Sequence, residues 1–201
     1  MEKKINYKGY KIDILQDNDP LSPREWDCFG TIYSNSRSYN PDNHGIEEIF
    51  ENEEYLDENE DFSIKKFEEK NIFLKIYAYI HSGISLSISR TGQYACPFDS
   101  GLFGIIAVSK EKAQKYLGEE YSEEKVLEYL RGEIELLNNY YNGEAYGFIV
   151  TSPEGEEFDS CWGYYGDSGI EDIISECKEN IDKYVQWSEK LNEIWETFSW
   201  S

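Results

Sequence analysis

Residues 81–101, HSGISLSISRTGQYACPFDSG, collect the side chains from which nucleophilic catalysis is built: His81, Cys96, a run of serines, Arg90 and Asp99. A thiol or hydroxyl nucleophile, an imidazole base and a carboxylate to orient it form a triad whose logic does not depend on their order along the chain. Cys96, however, is followed at once by Pro97, and no serine lies in the Gly-x-Ser-x-Gly elbow that presents a nucleophile. The favoured reading of CPFDSG is a tight loop between strands. Asp99 and Ser100 bond its backbone, and Gly92 and Gly101 supply permissive dihedrals.

Metal and nucleotide chemistry find no better footing. His44 and His81 are the only histidines and stand in no His-x-x-x-His or His-Glu-x-x-His arrangement. Cys28, Cys96, Cys161 and Cys177 are too far apart for a zinc pattern, so free and mostly buried thiols are expected. The stretch DNDPLSPRE at residues 17–25 lacks the glycine and terminal glutamate of an EF-hand loop. No Gly-x-Gly-x-x-Gly or Walker-type loop occurs. Neither a cofactor nor a metal is expected, and the chain is not read as an enzyme.

The elements that must position these residues follow from hydrophobic spacing. INYKGYKIDIL reads as two strands around Lys8 and Gly9, with Tyr10, Ile12 and Ile14 on one face. A loop rich in Asp, Pro and Ser precedes a strand near Thr31. Between Pro41 and Lys70, Ile46, Ile49, Phe50, Leu56, Phe62 and Phe67 are spaced for short helices, with acids filling the gaps. NIFLKIYAYIHSG alternates as a strand, GISLSIS as a second with its serine row on the wetter face, and LFGIIAV as a central one. Ser109 and Gly118 bracket a helix, and Ser122 opens a longer one whose stripe is Val126, Leu130, Ile134, Leu137 and Tyr141. A hairpin across PEGE and a helix over about residues 170–198 complete the chain. The sequence therefore predicts one α+β domain over residues 1–201: a mainly antiparallel sheet, helices packed on one face, and an acidic helical insertion at about residues 41–70.

Charge narrows the function. There are 41 acidic against 19 basic residues, a net charge of −22, which repels polyanions and anionic lipid. Neither nucleic acid nor membrane is an expected partner; a basic protein surface is. The excess is concentrated in residues 41–70, with twelve acids against three bases, and residues 119–172, with fifteen against two. The candidate contact residues are Glu51, Glu53, Glu54, Asp57, Glu58, Glu60 and Asp61 in the first block and Glu119, Glu120, Glu123 and Glu124 in the second. Aromatic content of 16% argues against disorder. The N-terminus lacks the apolar core of a secretory signal, so a cytoplasmic setting is expected.

The segments PREWDCFGTI, HSGISLS, CPFDSGLFGII, LRGEIE, NGEAYGFIV and DSCWGYYGD resemble the signature of a family of small acidic proteins from phages, plasmids and integrated elements of Gram-positive bacteria. The family pattern has DNLGT and CPWDSG where this chain has DCFGT and CPFDSG, and it lacks so long an acidic stretch as residues 47–61. The resemblance implies a setting in mobile elements and a bacterial host cell rather than a reaction. Charge and setting together lead to an expected anti-defence protein, of the anti-CRISPR or anti-restriction kind. It would bind a host defence protein or ribonucleoprotein stoichiometrically, its own carboxylates meeting the partner's basic surface as a nucleic-acid mimic. Two alternatives stand beside it: a binder or hydrolase of a signalling nucleotide working at His81, Arg90 and Asp99, and an accessory phage module with an unrelated protein partner.

Overall fold

Local alternation dictates the first pairing. In a computed structural model, which describes residues 3–199, Lys3–Tyr7 (β1) and Tyr10–Gln16 (β2) pair antiparallel across Lys8 and Gly9. Both turn residues have positive φ (50° and 87°), the mirror-image turn that matches strand twist. Thr31–Ser34 (β3), His44–Gly45 (β4), Glu47–Phe50 (α1), Ile64–Lys70 (α2), Asn71–Ile80 (β5), Ile84–Ser87 (β6) and Ser100–Ser109 (β7) come next. Lys110–Leu117 (α3), Glu123–Tyr141 (α4), Ala145–Thr151 (β8), Glu157–Tyr165 (β9) and Gly166–Ser199 (α5) close the order.

Where the order of elements suggests one sheet, the described residues form two, of four and five strands. The α+β class stands, and the chain divides into two compact units. The first comprises the segments before Ser22 and after Asn142, and the second is Ser22–Asn142. The reason is partner choice: β2 pairs with β8 rather than with β3, which joins β7.

In the first unit the sheet order is β1-β2-β8-β9, antiparallel throughout. Ile173, Cys177 and Ile181 of α5 bury one face together with Ile12, Ile14, Phe148 and Val150. The Tyr7 hydroxyl donates to both oxygens of Asp182 (3.0 and 3.1 Å), and the Lys8 amine lies 2.8 Å from the same carboxylate, tying the hairpin to the helix. The helix starts at Gly166, ahead of the expected position near 170, and its Trp187, Ile194 and Trp195 are largely exposed.

The second unit has order β4-β3-β7-β5-β6, antiparallel except for the short β3–β4 pair. Val126, Leu130, Ile134 and Leu137 of α4 pack on Ile32, Ile76 and Ile106. Ser109 and Ser122 cap α3 and α4 by accepting from the third amide of each helix. Helices were expected on one face only; here they cover both. Ile49 of α1 and Phe67 of α2 are buried on the opposite face against Ile105 and Ala107, so the acidic insertion is a second layer on the sheet. Gly104 permits the close approach of β3, since a Cβ there would lie 2.0 Å from the Tyr33 carbonyl oxygen. Among the described residues no helix is long and apolar enough to cross a membrane.

Candidate partner-binding surface

Short polar side chains give the acidic block at residues 51–61 its shape. Asn52 accepts from the Glu54 amide (3.0 Å) and starts a single 3-10 turn, Glu53–Tyr55. Asp57 Oδ1 then accepts from the amides of Asn59 (2.8 Å) and Asp61 (3.1 Å), and Glu60 takes a positive φ of 65° to close the turn. An isolated bridge between Leu56 and Phe62 holds the ends together. All seven candidate carboxylates of this block are exposed. Glu54 meets Lys70 at 3.1 Å; among the described residues the other six have no cationic partner.

The second block lies where α3 hands over to α4. Glu119, Glu120, Glu123 and Glu124 are exposed around the Gly118 turn (φ 55°) and the Ser122 cap. Lysines engage two of them: Glu120 bonds Lys125, and Glu123 lies 3.8 Å from Lys110. The hydrogen bond from Lys125 holds the Glu120 carboxyl below its ordinary range, and the Lys125 amine is raised in return. Glu119 and Glu124 remain without a cation among the described residues. The structure thus gives eight of the eleven candidates as exposed, uncompensated carboxylates.

The loop with the triad residue types takes a different form. His81 Nδ1 and Asp99 Oδ2 are 4.0 Å apart, too far for a hydrogen bond, and Cys96 Sγ bonds neither of them among the described residues. The Ser100 hydroxyl donates to the carbonyls of Tyr94 (3.0 Å) and Cys96, so Ser100 organises the loop as expected. Among the described residues the Asp99 carboxylate does not, and of Gly92 and Gly101, expected to supply permissive dihedrals, only Gly92, at φ 57°, is left-handed. A hollow of about 260 Å³ beside Asp99 is lined by Asn35, Ser36, Ile80, Phe98 and Leu102, with no Lys, Arg or His in its wall. Phe98 caps it at 92% exposure.

A buried charge cluster escaped the sequence reading. Ser22 and Glu25 form a reciprocal capping box on the Pro23–Glu25 turn, which fixes Arg24. Arg24 donates to both oxygens of Asp42 (2.7 and 2.6 Å), to Glu133 Oε2 (3.0 Å) and to the Gly30 carbonyl (2.8 Å). Asp42 accepts in turn from the Ile32 amide, and Glu133 from those of Phe29 and Gly30. Burial alone would lower the guanidinium's affinity for its proton. The bond and charge of Asp42, with the charge of Glu133, more than offset that and hold it charged, above its ordinary value. Glu133 sits on α4 beside the inward Ile134, while Glu128 and Glu135 point outward. That one inward glutamate in an outward acidic row is the signal that sequence reasoning could have used.

All four cysteines are free, with Cys177 buried, Cys28 and Cys96 half-buried and Cys161 exposed. Among the described residues no group of three or more His, Cys, Asp or Glu side chains is arranged to hold a metal ion. A polar cleft of about 320 Å³ is lined in part by Thr31, Asn52, Tyr55, Asn71 and Lys112. Two of its donors are already engaged: the Asn71 amide with the Tyr55 hydroxyl and the Phe67 carbonyl, and the Lys112 amine with the Cys28 carbonyl. No protein-family model matches the chain, and no curated protein or solved structure does either.

Proposed function

We propose that this chain is a stoichiometric anti-defence inhibitor, of the anti-CRISPR or anti-restriction kind. It would present ordered carboxylates to the Lys- and Arg-lined nucleic-acid channel of a host complex. The observation that carries the reading is the set of eight exposed carboxylates without cationic partners among the described residues, held on turns and caps of the second unit. Duplex DNA presents about one charge per 1.7 Å of axis, and a groove built to neutralise it accepts another ordered anionic surface. The two units share the charge evenly, 7 bases against 18 acids in the first and 12 against 23 in the second. Repulsion of nucleic acid by the inhibitor itself follows, and association is by protein–protein contact.

The test uses a panel of purified guide-dependent nucleases and restriction–modification complexes. Each is offered the protein empty and then saturated with its nucleic acid, at rising salt. Binding to the empty form of one complex, lost on loading and weakening steeply with salt, is expected. Neutralising Glu51, Glu53, Glu58, Glu60 and Asp61 should flatten the salt dependence. Equal binding to empty and loaded complexes, or an unchanged salt slope in the neutralised variant, overturns the mimicry.

A further inference from the structure

The insertion that carries the first acidic block also leaves an apolar groove open. Phe50, Phe62, Ile64, Phe73, Leu102 and Ile105 line a groove of about 300 Å³ between α1, α2 and the strands β5 and β7. Its aromatic wall is preformed. The ring centres of Phe50 and Phe62 lie 4.9 Å apart edge to face, and Phe62, Phe67 and Phe73 continue the row at 6.3 and 5.3 Å. Phe50, Ile64 and Leu102 remain 48%, 51% and 51% exposed, three large apolar side chains converging on one concavity. The surroundings are anionic. Glu51 and Asp61 adjoin Phe50 and Phe62 in the chain; the wall itself holds one carboxylate, Glu68, and one cation, the exposed Lys75 of β5, and the segment of residues 41–70 beside it holds twelve acids against three bases. Two of those bases are occupied, Lys66 by the Leu56 carbonyl (2.5 Å) and Lys70 by Glu54.

We infer that this groove is the anchoring site for a Lys- and Arg-rich segment of a protein partner, which inserts an apolar side chain between Phe50, Ile64 and Leu102 while its cations meet the surrounding carboxylates. The inference rests on the inhibitor reading only for the partner's basic character. Charge excludes a second copy as the preferred occupant, since two such surfaces repel. Exposed carboxylates in water gain little from each ion pair, whereas burying an apolar side chain in a preformed pocket gains more and marks the centre of an interface. The carboxylates therefore steer, and the groove holds.

The test uses the whole protein and three short synthetic peptides, with amide shift mapping and titration as readouts. The first has a Leu-Phe pair flanked by lysines and arginines, the second Ala-Ala in the same flanks, and the third Leu-Phe in flanks of glutamate. The first should shift amides around Phe62, Ile64 and Leu102 and bind about tenfold or more tighter than the second, the equivalent of burying one apolar side chain. Leu102→Gln and, independently, Ile64→Gln should remove that advantage and leave the second peptide's affinity unchanged. Half-exposure makes both substitutions mild for folding. Equal affinity of the first two peptides, shifts located elsewhere, or equal binding of the glutamate-flanked peptide would each overturn the inference. A concentration-dependent dimer abolished by Leu102→Gln would do so as well, by making a second copy the occupant. These peptides involve no defence complex, so an inhibitor reading that failed would leave a positive groove result standing, and the converse.

Discussion

Replacing Arg24 by alanine tests how the acidic insertion is held in register. Arg24 is 3% exposed and makes three charge-assisted hydrogen bonds and one to a carbonyl; its removal leaves Asp42 and Glu133, 11% and 18% exposed, without their cation. Breaking a buried ion pair from one side costs about 3–5 kcal/mol. Asp42 keeps the Ile32 amide at 2.7 Å, and Glu133 keeps those of Phe29 and Gly30 at 2.6 and 3.0 Å, so the lower end, about 3 kcal/mol, is expected. Against a total stability of about 5–15 kcal/mol that is a large fraction. Arg24→Lys keeps the charge but loses the two-pronged contact, with an expected cost of about 2 kcal/mol. The triple change Arg24→Met, Asp42→Asn, Glu133→Gln leaves no buried charge unpaired and should cost less than Arg24→Ala alone. Urea unfolding followed by tryptophan fluorescence gives the free energies, and hydrogen exchange at the Ile32 amide reports on the cluster itself. Partner affinity should fall in Arg24→Ala although every candidate carboxylate is intact, because Asp42 leads directly into β4 and α1. A loss below about 1 kcal/mol for Arg24→Ala, or a triple variant less stable than the single one, would refute the assignment of the cluster as a clamp.

Three further outcomes follow from named groups. Burial pushes the Cys177 thiol up to about 12, so stability is full below the unfolded thiol's value, about 8.5, and falls as pH rises from there toward the folded value. Cys177→Ala should flatten that alkaline limb in thermal melts, and a thiol reagent should label exposed Cys161 first and Cys177 only on unfolding. His81→Ala with Cys96→Ala should leave partner binding within about twofold of the parent, since neither side chain joins the other in a catalytic arrangement; loss of activity in the folded double variant would restore the enzyme alternative. The Asp182 carboxyl is held low by Lys8 and then by Tyr7, so its contribution is present above the ordinary Asp value, about 3.9, and disappears as pH falls through the lower folded one; Asp182→Asn should remove that part of the acid unfolding curve.

The elements legible in the sequence were those whose determinants are local. Tyr10, Ile12 and Ile14 alternate within one strand, and Val126, Leu130, Ile134 and Leu137 recur within one helix between Ser122 and Asn142, so both appear where expected. Pairing is not local. Ile12 meets Val150 and Ile32 meets Ile106, and nothing near Ile12 distinguishes β8 from β3 as its neighbour, which is why one sheet was expected where two exist. The second helical layer was half visible: Phe73, Tyr77 and Tyr79 put three aromatic rings on the β5 face opposite Ile72 and Ile76, a sign that something covers part of it, and Phe73 does pack in that layer. The carboxylate blocks were readable because exposure needs only polarity, whereas the groove beside them draws on Phe50, Phe73 and Leu102 from three separate elements.

The order of units along the chain has a consequence for synthesis. Ser22–Asn142 forms a complete unit, while β1 and β2, made earlier, find their partner only when β8 has left the ribosome. The inner unit can therefore fold while β2 still offers an open edge, an interval in which pairing with another nascent chain competes with the native partner. Asp13 and Lys11, ion-paired at 2.7 Å on that strand, place charge on the waiting edge, a feature that disfavours such intermolecular pairing. A circular permutant that carries residues 3–21 after α5 would make the two segments of the outer unit contiguous, shorten that interval and yield more monomer from rapid expression.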